Sequence, residues 1–339
     1  MKRISCLVMI GVISTLICLS TAGIAAANGS ESYWVWENPS PTGNDLYDVA
    51  CLDGDHAWAV GAEGTILFHD GVRWNPKISP TTNQLNGVWA IGVDDVWAVG
   101  EEGTVLHYDG VSWQNDTAAE NFAAGKRLMA ISASDASNVV AVGDSGTALH
   151  YNGSAWTKKS IPGGYNQYCV AVLDAGNAWS GGTYGKIYHF NGTSWIYETK
   201  PDGALSEFEA MQGICAIAVD DVWAVGDIGT VMHKGPAGWK DKSSLFDHLI
   251  HSKNLFAVSV LGTSDLFIVG QDGNIFRGEF PIIEIIKVPS GSDQRLSGLP
   301  GMRERAMSTD GTPTIDTETV EGAAAGRRGF WDRLVALTS

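Results

Sequence analysis

The chain has 339 residues, with 38 acidic against 22 basic side chains and a formal net charge of −16. A surface of that sign repels phosphate backbones, so nucleic acid is excluded as a partner class. The same acidity suits a soluble exported protein and leaves cation binding open.

At the N-terminus, Lys2 and Arg3 precede an uncharged apolar run from Leu7 to Leu19, and Ala25-Ala26-Ala27 offers a small-residue cleavage site before Asn28. This predicts a signal peptide over residues 1–27 and a secreted, periplasmic or cell-surface protein. The apolar run is short for a bilayer span, and no later stretch is apolar enough to make one. After cleavage no membrane span is expected. Cleavage also removes Cys6 and Cys18 and leaves Cys51, Cys169 and Cys215. Those three sit where buried apolar strand residues belong and read as small core residues, with one disulfide still open. No C-x-x-C pair or zinc spacing is present.

A short phrase then recurs along the chain. It reads AWAVGAEGTILFHDGVRW at 57–74, VWAVGEEGTVLHYDGVSW at 96–113 and VVAVGDSGTALHYNGSAW at 139–156. It returns as AWSGGTYGKIYHFNGTSW at 178–195, VWAVGDIGTVMHKGPAGW at 222–239 and, more weakly, LFIVGQDGNIFRGEF at 266–280. Four short strands in a unit of about 40–45 residues are the signature of a β-propeller. In each unit an apolar first strand (Leu46–Cys51, Leu85–Ile91, Leu128–Ala133, Tyr168–Leu173, Ile214–Val219, Leu255–Val260) leads through an Asp- or Asn-bearing turn to the W-A-V-G strand. A Gly turn, the T-V-L-H-Y strand, a second Gly or Asn-Gly turn and a Trp-led fourth strand complete it. Helical spacing within the repeats is confined to Ser243–His251.

The expected architecture is all-β: six four-stranded blades over residues 33–288. Residues 33–41 resemble the fourth strand that begins at Trp74, which predicts circular closure, with the N-terminal strand completing the last blade. Pro281–Val288 is the competing candidate for that position, or caps the ring from outside. Residues 289–339 lose the repeat phrase and read as a disordered tail. The amphipathic Gly329–Leu337 stretch at its end offers a docking element at most.

The repeated tryptophans, Trp58, Trp97, Trp179 and Trp223 on second strands and Trp74, Trp113, Trp156, Trp195 and Trp239 on fourth strands, read as packing between blades, because every blade meets its neighbour in the same way. Trp89 breaks the pattern on an inner strand near the channel. His107, His150, His189 and His233 hold one equivalent position. Ligands of a single metal must converge, which equivalent positions around a ring do not, so a hydrogen bond within each blade is expected and no metal or cofactor. Asp95, Asn138, Asn177, Asp221 and Asp265 are the turn residues of the first hairpins. The three connections between blades at Asn115–Arg127, Tyr197–Gln212 and Lys240–Asn254 vary most. They place Glu207, Phe208, Glu209, Phe246, His248 and His251 beside Trp89 as candidate ligand-binding residues.

The phrase D-V-W-A-V-G-x-x-G-T-[IV]-L-H-Y-D-G-x-x-W resembles the repeats of exported bacterial β-propellers with degenerate Asp-box (BNR-like) motifs. More distantly it is similar to the photosystem II stability/assembly factor-like propellers. The resemblance covers residues 33–280 and implies fold far more than function. The Asp-box aspartate position holds Tyr108, Tyr151 or Phe190, and the acidic or amide residue (Asp109, Asn152, Asn191) follows one later. A sialidase of this architecture needs an arginine triad, and the propeller offers only Arg73, Arg127 and Arg277. The reading that follows is a non-catalytic scaffold, expected to be monomeric, that binds a protein partner or a glycan. The distant resemblance adds an assembly factor for a membrane complex. The alternative is a glycoside hydrolase or lyase at the channel mouth, with Glu207 and Glu209 as acids beside His248 or His251.

Overall fold

The computed structural model describes residues 41–198, 209–245, 253–261, 265–279 and 282–287. The chain divides into two compact units, residues 1–296 and 297–339, and the described residues all belong to the first. They form six four-stranded antiparallel sheets, each a meander in chain order: the blades of a β-propeller. Blade one is β1 (Leu46–Cys51), β2 (His56–Gly61), β3 (Ile66–Asp70) and β4 (Trp74–Pro76). Blade two is β5 (Leu85–Gly92), β6 (Asp95–Gly100), β7 (Val105–Tyr108) and β8 (Trp113–Asn115). Blade three is β9 (Leu128–Asp135), β10 (Asn138–Gly143), β11 (Ala148–Tyr151) and β12 (Trp156–Lys158). Blade four is β13 (Gln167–Asp174), β14 (Asn177–Gly182), β15 (Ile187–Phe190) and β16 (Trp195–Glu198). Blade five is β17 (Met211–Ala218), β18 (Asp221–Gly226), β19 (Val231–Gly235) and β20 (Gly238–Asp241). Blade six is β21 (Leu255–Leu261), β22 (Asp265–Gly270), β23 (Asn274–Glu279) and β24 (Ile282–Lys287).

Two sequence expectations change here. The fourth strand of blade six is β24, paired with β23 from Asn274↔Lys287 to Glu279↔Ile282, rather than the N-terminal strand expected at 33–41. A hairpin to the next segment closes a short loop, whereas recruiting the N-terminus closes almost the whole chain, and the isoleucine-rich IIEIIK run is itself a strong strand former. Residues 33–40 lie outside the described residues, as do the expected signal segment at 1–27 and the expected tail at 289–339. Second, the connection between blades two and three contains a helix, α1 (Thr117–Ala123), which the repeat reading missed. Asp116 caps it by accepting from the Ala119 N–H at 2.9 Å, and Ala119 and Ala123, one turn apart, are its buried face.

Cores lie between blades rather than within them. Trp58 is buried against Tyr108 and Trp113 of blade two, at 4.9 and 5.3 Å between ring centroids. Trp97 repeats the arrangement on Tyr151 and Trp156 of blade three at 5.2 and 5.3 Å. The tryptophans are therefore packing residues, each edge-to-face pair adding about 0.5–1.5 kcal/mol to its burial. Inner strands contact their successors in order from β1 through β5, β9, β13 and β17 to β21. Polar side chains stitch three of these junctions. Asp48 accepts from the Val88 N–H (2.8 Å), Asn86 donates to the Leu128 carbonyl (2.9 Å), and Ser132 accepts from the Val172 N–H (3.2 Å).

The last glycine of W-A-V-G has a steric cause. A Cβ on Gly61, Gly100, Gly143, Gly182 or Gly226 would lie 1.9–2.0 Å from the carbonyl oxygen of Asp45, Gln84, Arg127, Asn166 or Ala210. That carbonyl belongs to the segment entering the blade's own inner strand, so the second strand must pass it without a side chain. Among the described residues no helix is long and apolar enough to cross a membrane.

Candidate functional site: the connection face

In each meander the turn between the second and third strands emerges at the same end as the connections between blades. Backbone hydrogen bonds tie the two together in all six blades. Ala62, Glu101, Asp144, Thr183, Asp227 and Gln271 donate to the carbonyls of Asp45, Gln84, Arg127, Asn166, Ala210 and Asn254 at 2.7–3.0 Å. The described parts of the three variable connections therefore share one face with six tight turns. The opposite face carries the short Asx turns, such as those in which Asp70 and Asp109 each accept from two backbone N–H groups at 2.9–3.0 Å.

The middle residue of each tight turn is left-handed: Glu63, Glu102, Ser145, Tyr184, Ile228 and Asp272 have φ between 54° and 63°. This conformation costs an L-residue about 1–2 kcal/mol and is hardest on a β-branched one such as Ile228. The neighbouring blade's entry segment helps hold it. Asn166 Oδ1 accepts from the Ser145 N–H at 2.9 Å, and Asn254 Oδ1 from the Ile228 N–H at 3.2 Å. The side chains are solvent-facing, with Tyr184 45% and Ile228 55% exposed.

Blade four departs from the repeat at its turn. Where four of the other blades carry Thr after the turn and blade six Asn274, it carries Lys186, whose Nζ lies 4.9 Å from the ring centroids of both Tyr165 and Tyr197. Tyr184 meets Tyr165 edge-on at 5.7 Å, and the Tyr168 hydroxyl accepts from Thr183 Oγ1 at 3.2 Å. Nearby, Arg127 lies 3.3 Å from Asp144 and 3.8 Å from Glu101. Partial burial works against its charge, but the hydrogen bond and charge of Asp144, aided by Glu101, outweigh that and raise its pKa.

Of the candidate residues, Trp89 and Glu209 are described; Glu207, Phe208, Phe246, His248 and His251 lie outside the described residues. Trp89 is half-buried and packs on the core between blades two and three, beside Trp97. Glu209 Oε2 accepts from Thr230 Oγ1 at 3.3 Å. Asn44 donates to Thr65 and Asn83 to Thr104 across the same register, at 2.8 and 3.0 Å, so Glu209 occupies a repeated position that anchors a blade's entry. The sequence signal was present in that recurring spacing. Equally legible in an alignment of the units, and missed, were the unlike residues at the left-handed turn positions.

Three of the four histidines do what their equivalence implied. His107, His189 and His233 contact Asp95, Asn177 and Asp221 at 2.9, 3.1 and 2.9 Å while stacking on Trp97, Trp179 and Trp223. His150 differs and makes no such contact with Asn138. Its Nε2 accepts from Trp195 Nε1 of blade four at 3.1 Å, and burial, reinforced by Lys159, lowers its pKa to about 4. Among the described residues no three His, Cys, Asp or Glu side chains are grouped to hold a metal ion.

No protein-family model matches this chain, and no curated protein is similar enough to match it. Solved structures do share its fold. YCF48 from Cyanidioschyzon merolae is 17% identical, with a TM-score of 0.53 over 69% of this chain and 80% of that one. The WD40 β-propeller domain of Doa1 is 12% identical, with a TM-score of 0.55 over 73% of this chain and 84% of that one. A structure of YCF48 bound to D1 peptide is 17% identical, with a TM-score of 0.45 over 76% and 99% of the two chains. At these identities the likeness is one of fold, and it includes propellers of the photosystem II assembly factor YCF48, as the repeat phrase suggested.

Proposed function

We propose that this protein is an exported, non-catalytic propeller that binds a protein partner through its connection face. The observation that carries the reading is the asymmetry of the two faces. One bears short, near-identical turns, whose exposed large apolar residues, among the described residues, are all valines (Val72, Val93, Val111 and Val219). The other bears unlike connections, one of them helical, together with exposed Ile78, Phe122, Tyr184 and Ile228. Variable loops and exposed large apolar groups on a fixed scaffold are what recognition of another macromolecule requires. Export rests on the basic, apolar and small-residue order of residues 1–27.

The test isolates the tagged full-length protein from the envelope of its own cells and screens the same sample on a glycan array. A stoichiometric protein partner is expected, lost when Phe122 and Tyr184 are replaced by serine. A specific glycan with no protein partner would overturn the reading.

A further inference from the structure

The repeat supplies its own control. Around each tight turn the flanks hardly change: the last glycine of the second strand, the glycine after the left-handed residue, and Thr in four blades. Both residues between the glycines vary: the first is Ala62, Glu101, Asp144, Thr183, Asp227 or Gln271, and the left-handed one runs from Glu63 and Glu102 through Ser145 to Tyr184, Ile228 and Asp272. Glycine or asparagine would suit that backbone better than tyrosine or isoleucine. Yet blades four and five, which are neighbours, carry the two bulky apolar choices, both exposed.

The six positions are also sorted by character. Blades one and two present Glu63 and Glu102, exposed and without an ion-pair partner among the described residues. Blade three presents the small Ser145, and blades four and five present Tyr184 and Ile228. Asp272 on blade six is neutralised by Lys253. The one lysine on blade four's turn, Lys186, is drawn between two tyrosine rings. The face thus runs from an uncompensated acidic arc, over a low middle, to an apolar arc.

We infer that this face docks an extended segment of a partner protein that carries basic residues followed by apolar ones, the basic part over Glu63 and Glu102 and the apolar part over Tyr184 and Ile228. Charge complementarity sets which end lies where, and the apolar arc supplies the desolvated contact. This rests on the protein-binding reading above and specifies its partner.

The probe is a fluorescein-labelled peptide with a block of lysine and arginine followed by a block of leucine and phenylalanine, compared by anisotropy with one whose basic residues are replaced by glutamate. The full-length protein is expected to bind the basic peptide at least about tenfold more tightly, with the difference shrinking as salt rises. Glu63→Lys with Glu102→Lys should weaken binding about tenfold, and Tyr184→Asn with Ile228→Asn by a similar factor. The asparagine pair should also raise the thermal midpoint, because it relieves the left-handed turns, and this separates lost contact from lost folding. Val72→Ser with Val111→Ser, on the opposite face, should change nothing.

Equal binding of the acidic peptide, or full binding by the asparagine pair, would overturn the assignment. If the envelope partner is captured equally by all variants, this surface is wrong and the scaffold reading stands. If neither peptide binds and no partner is captured, both fail.

Discussion

Replacing Gly100 with alanine probes the steric rule that shapes every blade. A Cβ there would lie 2.0 Å from the Gln84 carbonyl oxygen and 3.0 Å from its carbon and the Leu85 Cα. All three are backbone atoms, so no flexible side chain can swing away. The same oxygen accepts the Glu101 N–H at 2.9 Å, and moving it loosens the link between the turn and the entry to β5. Overpacking costs about 1–3 kcal/mol, and the strained or lost hydrogen bond about 1 more. A loss of about 3 kcal/mol is expected, a large share of the 5–15 kcal/mol typical of a folded domain. Gly235 is the control, since a Cβ there meets nothing within 4 Å and its φ is not positive. Gly235→Ala should stay within about 0.5 kcal/mol of the parent or gain slightly through the unfolded chain. Urea titrations followed by tryptophan fluorescence give both midpoints. Equal midpoints for the two variants would refute the steric explanation.

Three further outcomes are expected. The outer tryptophans of blades three and five donate their indole N–H to Asp116 and Glu198, three residues past the outer tryptophan of the preceding blade, whereas Trp113 Nε1 is buried without an acceptor and the matching residue is Lys77. Lys77→Glu should supply that acceptor and stabilise by about 1 kcal/mol despite losing the lysine's contact with Phe68, read as a higher urea midpoint. His150, with its pKa near 4, binds fewer protons folded than unfolded between about pH 4 and 6.5, so its contribution is complete above pH 6.5 and falls as pH drops toward 4. Parent stability should fall by about 2–3 kcal/mol across that window from this group, and His150→Gln should flatten the loss, measured as urea midpoint against pH. Burial pushes the Cys169 thiol up to about 12 and Cys215 up to about 11, so both should resist iodoacetamide in the native protein and react after denaturation, counted by mass spectrometry.

The blade plan was legible because its causes are local and repeated. Gly100 and its equivalents mark a backbone crossing, the tryptophans a junction between blades, and His107 with Asp95 a fixed side-chain pair. Choices between equivalent segments were harder to read. Residues 33–41 and 282–287 both look like a fourth strand, and chain proximity together with the isoleucine-rich run favours the second in the structure. α1 has two turns in a connection with no repeat to compare against, although Asp116, Ala119 and Ala123 spelled its cap and buried face. Glu209 looked like a free acid because its partner, Thr230, lies across a turn rather than beside it in sequence. The left-handed residues were hidden for the opposite reason. A glycine follows each of them, and the turn reads as though that glycine alone supplied the positive φ.

The central claim is that partner recognition belongs to the connection face. Its most direct test is a photo-crosslinking amino acid placed at position 184, and separately at position 111 on the opposite face, in the full-length protein expressed in its own cells. Irradiation is expected to join a discrete protein partner at 184 and not at 111. Crosslinking at 111 alone, or equally at both positions, would contradict it.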